Sequence, residues 1–200
     1  MTKIKLCGLT RLCDIEEANL LAPDYVGFVF APGSRRYVDK ERASALKKAL
    51  DENIKSVGVF VNEDIRIVAD IANDGIIDLV QLHGCEGEDY INNLRSLTDK
   101  PIIKAFGVEG RDDVDAAQKS SADFILLDSC GGGTGRAFQW EFIKNMDRQY
   151  FLAGGLDADN VEKAIKILSP YAVDVSSGVE TDGLKDGGKM KKFVEAVRKG

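Results

Sequence analysis

The sequence predicts an α/β protein, and within that class a compact (β/α)₈ barrel, on three observations. Eight apolar runs rich in β-branched residues alternate with stretches that have helical spacing. The runs are nearly continuous, as in Val26–Phe30 and Ile125–Leu127, which is typical of strands covered on both faces. Glycine-bearing loops follow the last three runs. Together these features predict a TIM barrel, a fold that places its chemistry at the carboxyl ends of the strands.

The strands and helices are predicted from these runs in chain order. We predict strands at Ile4–Cys7, Tyr25–Phe30, Ser56–Val61, Leu79–His83, Ile102–Phe106, Phe124–Asp128, Tyr150–Ala153 and Val173–Ser176. Helical patterns lie near residues 12–22, 39–51, 63–74, 86–97, 111–120, 139–147, 157–168 and 186–198. The patterns near 111–120 and 139–147 are the weakest, and each is also consistent with a loop or a single turn.

Local signals justify the helix ends. Asp39 precedes an apolar stripe with helical spacing that includes Leu46. A second stripe begins after Asn160 and ends before Pro170, which cannot continue a helix. We expect Thr10 to cap the first helix.

Length and charge narrow the class of protein. The 200 residues are expected to form a single domain, residues 1–200, with a sizeable core. The net charge of −6 argues against a protein that binds duplex nucleic acid. No apolar run approaches the roughly 18 residues of a membrane span, and no charged-then-apolar leader follows Met1. We therefore expect a cytoplasmic protein, whose four cysteines are free thiols because they form no CxxC pair.

An open doubly wound sheet is the alternative fold, since it also alternates strands with helices. Its dinucleotide-binding version carries GxGxxG after the first strand, and this sequence has no such motif there.

The first predicted strand ends at a thiol. Cys7 is followed by Gly8, which permits a tight turn, and a barrel would place both at the rim that holds the chemistry. A cysteine that acts as a base has to be a thiolate, so we expect the pKa of Cys7 to lie below the value of about 8.5 for a free thiol. Lys5 has the same strand parity and is expected to face the same side. The alternative role for Cys7 is that of a small buried hydrophobic residue.

Other ionisable side chains follow predicted strands. Asp128 ends the sixth strand, where burial would keep a proton on it for donation; the alternative is a solvated turn residue or a cap. His83, the only histidine, ends the fourth strand and fits either a structural role or a substrate contact. Arg35 and Arg36 follow the second strand, either as a solvated basic pair or as a clamp for a carboxylate.

Glycines mark a candidate phosphate site. They lie in the loops 128–135, 154–156 and 176–180, which follow the last three predicted strands. Barrels frequently bind phosphate with the loops after strands 7 and 8 and a short extra helix, which the stretch 177–181 would supply. The alternative is that these glycines only make short turns.

A zinc site is the remaining chemical alternative. Several potential ligands end predicted strands and would converge in a barrel, namely Cys7, His83, Cys85, Asp128 and Cys130. They lack the paired spacing typical of zinc ligands, so we expect no metal.

Seven motifs occur together in one order along the chain: Lys5–Thr10, Gly27–Tyr37, Val57–Asn62, Val80–Gly84, Leu126–Ser129, Gly132–Gly135 and Val173–Glu180. Each is weak alone, but jointly they are specific. The chain resembles, nearly end to end, the phosphoribosylanthranilate isomerase family of tryptophan biosynthesis.

The resemblance implies a cofactor-free Amadori rearrangement of N-(5′-phosphoribosyl)anthranilate. It implies that Asp128 protonates the ribose ring oxygen, that Cys7 removes the proton from the sugar C2, and that Arg36 clamps the anthranilate carboxylate. The other substrate-binding residues that it implies are His83, Gly133, Gly135, Gly154, Gly155, Asp174, Ser176, Ser177 and Gly178. Family members occur as monomers and as dimers, so we expect a monomer or a homodimer.

The sequence departs from the family pattern in two places. Gln139 stands where an aspartate is expected before Trp140, which weakens a helix cap rather than the chemistry. The loop 128–135 is shorter than in some relatives, which affects the phosphate-side wall.

Two other functions compete with this one. The similar isomerase of histidine biosynthesis depends on a pair of aspartates at the barrel mouth, and Cys7 argues against it. A non-catalytic barrel that binds a phosphorylated ligand or a partner protein predicts binding without turnover.

Overall fold

Eight parallel strands form a closed barrel in the computed structural model, which describes residues 1–129, 142–143 and 146–200. The strands pair in chain order, and the last pairs with the first. They are β1 Lys3–Cys7, β2 Tyr25–Val29, β3 Lys55–Phe60, β4 Leu79–Leu82, β5 Ile102–Val108, β6 Phe124–Ser129, β7 Tyr150–Leu152 and β8 Ala172–Val175. The predicted (β/α)₈ barrel is confirmed, and the doubly wound alternative is wrong because the ring of strands is closed.

Helices surround the barrel on its outer face. Those in the described residues are α1 Leu12–Leu21, α2 Lys40–Ala49, α3 Ile65–Asn73, α4 Glu88–Arg95, α5 Arg111–Lys119, α6 Val161–Leu168 and α7 Gly187–Lys199. The weak pattern near 111–120 is therefore a helix, whereas the pattern near 139–147 lies mostly outside the described residues. None of the helices that the structure describes is long and apolar enough to cross a membrane.

Aspartates bind the backbone N–H groups at the amino-terminal ends of α1 and α2. Asp39 caps α2 by accepting the backbone N–H of Arg42 at 2.7 Å, as its position predicts. Thr10 does not cap α1, so that prediction is wrong. The carboxylate of Asp14 instead accepts the backbone N–H groups of Thr10 and Arg11 at 3.0 and 2.9 Å. The N-cap position is Arg11, so Thr10 stands one residue before the position whose side chain caps the helix.

The barrel interior is packed in layers. Alternate strand residues point inward, and the apolar ones toward the amino ends form one cluster that includes Tyr25, Val57, Leu79, Ile103, Leu126 and Phe151. A separate small cluster of Cys7, Val29 and Val59 lies nearer the carboxyl ends. The largest apolar cluster joins the outward strand residues to the helices. Apolar side chains therefore fill the barrel interior at the amino ends of the strands, and polar side chains occupy it at the carboxyl ends.

Three aspartates clip the amino ends of neighbouring strands together. Each stands directly before an even-numbered strand and accepts a backbone N–H from the preceding odd-numbered strand. The pairs are Asp24 with Ile4, Asp78 with Ser56 and Asp123 with Ile102, at 2.9, 2.8 and 2.8 Å. Such bonds lie on the face of a barrel that serves stability rather than chemistry.

The chain adds two small elements after β8. The short helix expected near 177–181 is present as a 3₁₀ helix, Ser177–Val179. A hairpin of β9 Glu180–Thr181 and β10 Leu184–Lys185 follows it, and the sequence did not predict this hairpin. Its turn places Asp182 and Gly183 at φ 53° and 80°, the geometry of a tight two-residue hairpin turn.

Candidate active site

A cavity of about 310 Å³ opens at the carboxyl ends of the strands. Most of the predicted site residues line it: Cys7, Arg36, His83, Asp128, Gly154, Gly155, Asp174, Ser176 and Ser177. Gly178 does not line it, because its Cα packs against the backbone of Leu156, where a Cβ would come within 2.0 Å of the carbonyl oxygen. Gly133 and Gly135 lie outside the described residues. The structure thus brings together residues from six of the eight strand ends.

The rest of the lining is mainly apolar. It comprises Val29, Ala31, Ser34, Val59, Val61, Gln81, Ala153 and Leu156. A few polar groups set in an apolar wall are typical of sites for small organic ligands. These residues were not predicted from the sequence, although the parity of β4 places Gln81 on the same side as His83.

Cys7 lies at the floor of the cavity beside a buried ion pair. The thiol is 8% exposed, and a Cβ on the neighbouring Gly27 would come within 2.7 Å of its Sγ. Below it, Lys5 is fully buried and its Nζ donates to Oδ2 of Asp174 at 2.8 Å. The expectation that Lys5 faces the side of Cys7 is confirmed by this geometry.

The pKa of the Cys7 thiol differs from the sequence-based expectation. Burial raises the pKa of Cys7 above its usual value, and although Lys5 and Lys185 lower it, burial outweighs them. The prediction of a depressed pKa is therefore wrong for the protein without a ligand, because the thiol is enclosed by strands. Burial acts on Lys5 in the opposite sense, but the adjacent Asp174 and Cys7 hold the pKa of Lys5 above its usual value.

Asp128 stands on β6 at the same cavity, with its side chain 32% exposed. The carboxyl group is less enclosed than expected from the sequence. Its Oδ2 lies 3.4 Å from Nε2 of His83, whose Nδ1 lies 2.8 Å from the amide nitrogen of Gln81. His83 begins the loop after β4, one residue beyond the end of the observed strand.

Arg36, which follows β2, is held by a carboxylate from the segment after β8, and both strands pair with β1. Its Nε and Nη2 donate to Oε1 and Oε2 of Glu180 at 2.6 and 2.8 Å, and Nζ of Lys185 donates to the same Oε1 at 2.5 Å. Burial raises the pKa of Glu180, but these two cations outweigh it and hold the pKa below its usual value. The arginine is thus a positioned donor rather than a solvated side chain.

Gly8 supports that position. It has φ 81°, which confirms the tight turn after Cys7, and a Cβ there would come within 2.4 Å of Cδ of Arg36. The glycine is required both by its left-handed backbone and by the arginine that crosses it.

The wall made by the late loops exposes backbone. Gly154 and Gly155 have φ 92° and 64°, which side chains other than glycine rarely permit. Ser176 and Ser177 line the same wall, and the 3₁₀ helix starts there. These residues lie at the wall where the sequence predicts phosphate.

A second buried ion pair shapes the loops after β3 and β4. Lys104 donates to the carbonyl of Gly84 at 2.7 Å and pairs with Glu86 at 3.1 Å. Glu86 in turn accepts the backbone N–H groups of Asn62 and Gly84 at 2.6 and 2.8 Å. This pair anchors the loop that carries His83.

The zinc alternative finds no support in the part of the chain that the structure describes, where no group of three or more potential ligands is placed to hold a metal ion. One of its proposed ligands, Cys130, lies outside that part.

Two buried oxygens among the described side chains lack a hydrogen-bond partner, Oε1 of Gln81 and Oδ1 of Asp174. Leaving such an acceptor unpaired costs about 1–3 kcal/mol. Both residues line the cavity, so a bound molecule with donor groups would offset this cost.

Comparison with known proteins identifies the family. The model of the family N-(5′-phosphoribosyl)anthranilate (PRA) isomerase matches residues 4–196. The enzyme of that name from Clostridium acetobutylicum is 48% identical over 207 residues, which cover 100% of this chain and 99% of that protein.

Solved structures agree. The crystal structure of phosphoribosyl anthranilate isomerase from Thermotoga maritima is similar with a TM-score of 0.90 and 36% identity, covering 100% of each chain. A crystal structure of such an isomerase in complex with reduced 1-(o-carboxyphenylamino)-1-deoxyribulose 5-phosphate is similar with a TM-score of 0.88 and 35% identity, again covering 100% of each chain. On these grounds the chain belongs to the N-(5′-phosphoribosyl)anthranilate isomerase family.

Proposed function

We propose that the chain catalyses the Amadori rearrangement of N-(5′-phosphoribosyl)anthranilate to 1-(2-carboxyphenylamino)-1-deoxyribulose 5-phosphate in tryptophan biosynthesis. This is an aldose–ketose isomerisation, an intramolecular oxidation and reduction. The observation that carries the proposal is the placement of Cys7 and Asp128 on strands β1 and β6 at one cavity. A family member binds the reduced product in its crystal structure.

The two residues act as base and acid. Asp128 gives a proton to the ribose ring oxygen, the bond from C1 to that oxygen breaks, and the anilino nitrogen forms an iminium ion with C1. Cys7 then removes the proton from C2, which yields an enolamine. The enolamine becomes the ketone when Cys7 returns its proton to C1 and the C2 hydroxyl gives its proton to Asp128, which restores both residues.

The raised pKa of Cys7 is compatible with this role because the substrate changes the electrostatics of the site. The iminium ion brings a positive charge beside a thiol whose pKa is raised by burial and lowered by Lys5 and Lys185. An added cation at this distance favours the thiolate. The same iminium acidifies the C2 proton, so the reaction needs no cofactor.

The ends of the substrate are bound by different walls. Arg36, held by Glu180, retains Nη1 for the anthranilate carboxylate. The phosphate lies against the glycine loops after β7 and β8, together with the loop that contains Gly133 and Gly135. Asp174 accepts a sugar hydroxyl through its unpartnered Oδ1. The active unit is a single domain, a cytoplasmic monomer or homodimer.

Turnover of the anthranilate ribotide tests the function directly, since its fluorescence is lost on reaction. We expect Cys7→Ala and Asp128→Ala to lower kcat at least about 10³-fold, with an unchanged circular dichroism spectrum. Cys13→Ala is the matched control, because Cys13 is an exposed thiol on α1, and it should retain full activity. Near-normal turnover in either active-site variant contradicts the role given to that residue.

The competing isomerase is tested in the same experiment. The aminoaldose substrate of histidine biosynthesis, assayed side by side, should give a much lower kcat/KM. Binding of the product analogue without any turnover of the ribotide would instead support a non-catalytic barrel.

A further inference from the structure

Gln81, His83 and Asp128 form a chain of contacts along one wall of the cavity. The amide nitrogen of Gln81 lies 2.8 Å from Nδ1 of His83. The other ring nitrogen, Nε2, lies 3.4 Å from Oδ2 of Asp128. Gln81 is 1% exposed, so its amide is held inside the barrel wall.

The contact with Gln81 decides the form of the imidazole. An amide nitrogen can only donate a hydrogen bond, so Nδ1 has to be the unprotonated, accepting nitrogen. The ring proton is then on Nε2, the nitrogen that lies 3.4 Å from Oδ2 of Asp128. The hydrogen bond at one ring nitrogen commonly decides which tautomer a histidine adopts.

The opposite orientation of the amide would put the ring proton on Nδ1. With Oε1 of Gln81 facing the ring, Nδ1 would have to be a donor, and Nε2 would either accept the proton of Asp128 or carry a second proton as an imidazolium ion. The nearby ion pair does not favour that state, since Lys104 and Glu86 neutralise each other at 3.1 Å. Turning the amide would also leave its nitrogen unpaired in place of Oε1.

We propose that Gln81 is a positioning residue that holds His83 as the neutral Nε2–H tautomer and thereby keeps Asp128 able to donate a proton. The protonated Nε2 then faces Oδ2 of Asp128 at 3.4 Å, which leaves Oδ1 for the carboxyl proton. An imidazolium at the same place would pair with the ionised carboxylate and hold it without a proton. The inference rests on the proposed role of Asp128 as the acid.

A spectroscopic test is direct because His83 is the only histidine in the chain. Long-range ¹H–¹⁵N correlation spectra of the ligand-free protein at alkaline pH report which ring nitrogen carries the proton. We expect a protonated Nε2 and an unprotonated Nδ1. A proton on Nδ1, alone or together with one on Nε2, overturns the proposal.

The variant Gln81→Glu tests the cause. A carboxylate of nearly the same shape accepts rather than donates, so it should move the proton to Nδ1 or charge the ring. Gln149→Glu is the matched control: it makes the same chemical change at an exposed position before β7, and it should leave the histidine signals unchanged. An unchanged spectrum in Gln81→Glu overturns the proposal.

Kinetics separate a positioning role from a structural one. Gln81→Glu should lower kcat about 100-fold, within the range for general acid catalysis, and change KM by no more than about threefold. Gln81→Met removes the donor without charging the ring, so its kcat should lie between those of the wild type and Gln81→Glu. In a His83→Asn background the effect of Gln81→Glu should largely disappear, because residues that act through one another are not additive.

The outcomes are distinct from those of the proposed function. Failure of the wild type to convert the ribotide rejects the function, whereas the tautomer is measured without substrate. If Gln81→Glu lowers kcat equally with and without His83, the residue does not act through the imidazole and the inference is wrong. If Gln81→Glu does not fold, the wild-type spectrum and Gln81→Met still decide between the outcomes.

Discussion

Glu180 is the residue whose replacement tests the arrangement of the site most sharply. It joins the loop after β2 to the segment after β8, since its carboxylate binds Arg36 through two oxygens and Lys185 through one. We predict that Glu180→Gln weakens substrate binding far more than it slows the chemical step. The change keeps the shape of the side chain, but its amide can accept from these cations through only one oxygen.

The structure sets the size of the effect on stability. The side chains of Glu180 and Lys185 are 6% and 2% exposed, whereas that of Arg36 is 22% exposed. Breaking a buried ion pair by removing one partner costs about 3–5 kcal/mol, and the partial exposure of Arg36 favours the lower end. A stability of roughly 5–15 kcal/mol is typical of folded domains, so the variant should still fold, with a Tm lower by roughly 6–12 °C.

The effect on binding follows from the loss of orientation at Arg36. A charge-assisted hydrogen bond to the substrate carboxylate contributes about 1.5–3 kcal/mol, which corresponds to roughly a 10- to 100-fold rise in KM. The anthranilate carboxylate of the substrate takes no part in bond breaking, so kcat should change by less than about fivefold. The assay is ribotide fluorescence against substrate concentration, together with urea unfolding.

Asp78→Asn is the matched control for destabilisation. Asp78 also binds a lysine, with Nζ of Lys47 at 2.6 Å, but at the amino ends of the strands. This variant should lose stability and keep its KM. If Glu180→Gln loses stability while its KM stays at the wild-type value, Arg36 does not hold the carboxylate and the reasoning about this site is wrong.

Two further predictions concern pH. Although burial raises the pKa of Asp78, the hydrogen bonds from Lys47 and Ser56 outweigh it and hold that pKa below its usual value. The wild type should therefore be more stable than Asp78→Asn by about 1–3 kcal/mol at pH 7. This difference should persist above pH of about 4 and disappear as the pH falls further. Urea unfolding at pH 7 and pH 3 measures this, and an advantage that is constant with pH contradicts it. Because burial raises the pKa of Cys7, iodoacetamide should alkylate Cys7 and inactivate the enzyme slowly at pH 7. The rate should be at least about 10-fold lower than that of the exposed Cys13, and it should increase above pH of about 8.5. Mass spectrometry of both peptides tests this, and rapid modification of Cys7 at pH 7 would show that the thiolate is stabilised without substrate.

Local patterns made most of the fold predictable. Continuous apolar runs identified the eight strands, and helical stripes with caps such as Asp39 identified the helices. Errors occurred where local signals compete or are too short. Thr10 was predicted as the cap of α1, but the N-cap is the next residue, Arg11. The hairpin β9–β10 has strands of two residues, which carry no periodicity to detect.

The site was predictable to the extent that strand ends meet in a barrel. Cys7, His83, Asp128 and Asp174 line one cavity because parallel strands of similar length finish at the same rim. Gln81 was missed because strand parity places it on the side of His83 but does not show whether its amide contacts a functional group. The predicted shift in the pKa of Cys7 had the wrong sign. Strand parity shows that Lys5 lies beside the thiol, but it does not show how deeply the thiol is buried, and burial has the larger effect on the pKa.

By itself the sequence determined the order of strands and helices, the residues at the strand ends and the family, since these depend on patterns within one segment or on motifs in a given order. Only the tertiary structure decided which charged groups meet. Lys5 binds Asp174 across 169 residues, and Arg36 binds Glu180 across 144. These pairs, and the burial that shifts the pKa of Cys7, exist only once β8 has closed on β1, because closure alone brings the two ends of the chain together and removes the space between them from water.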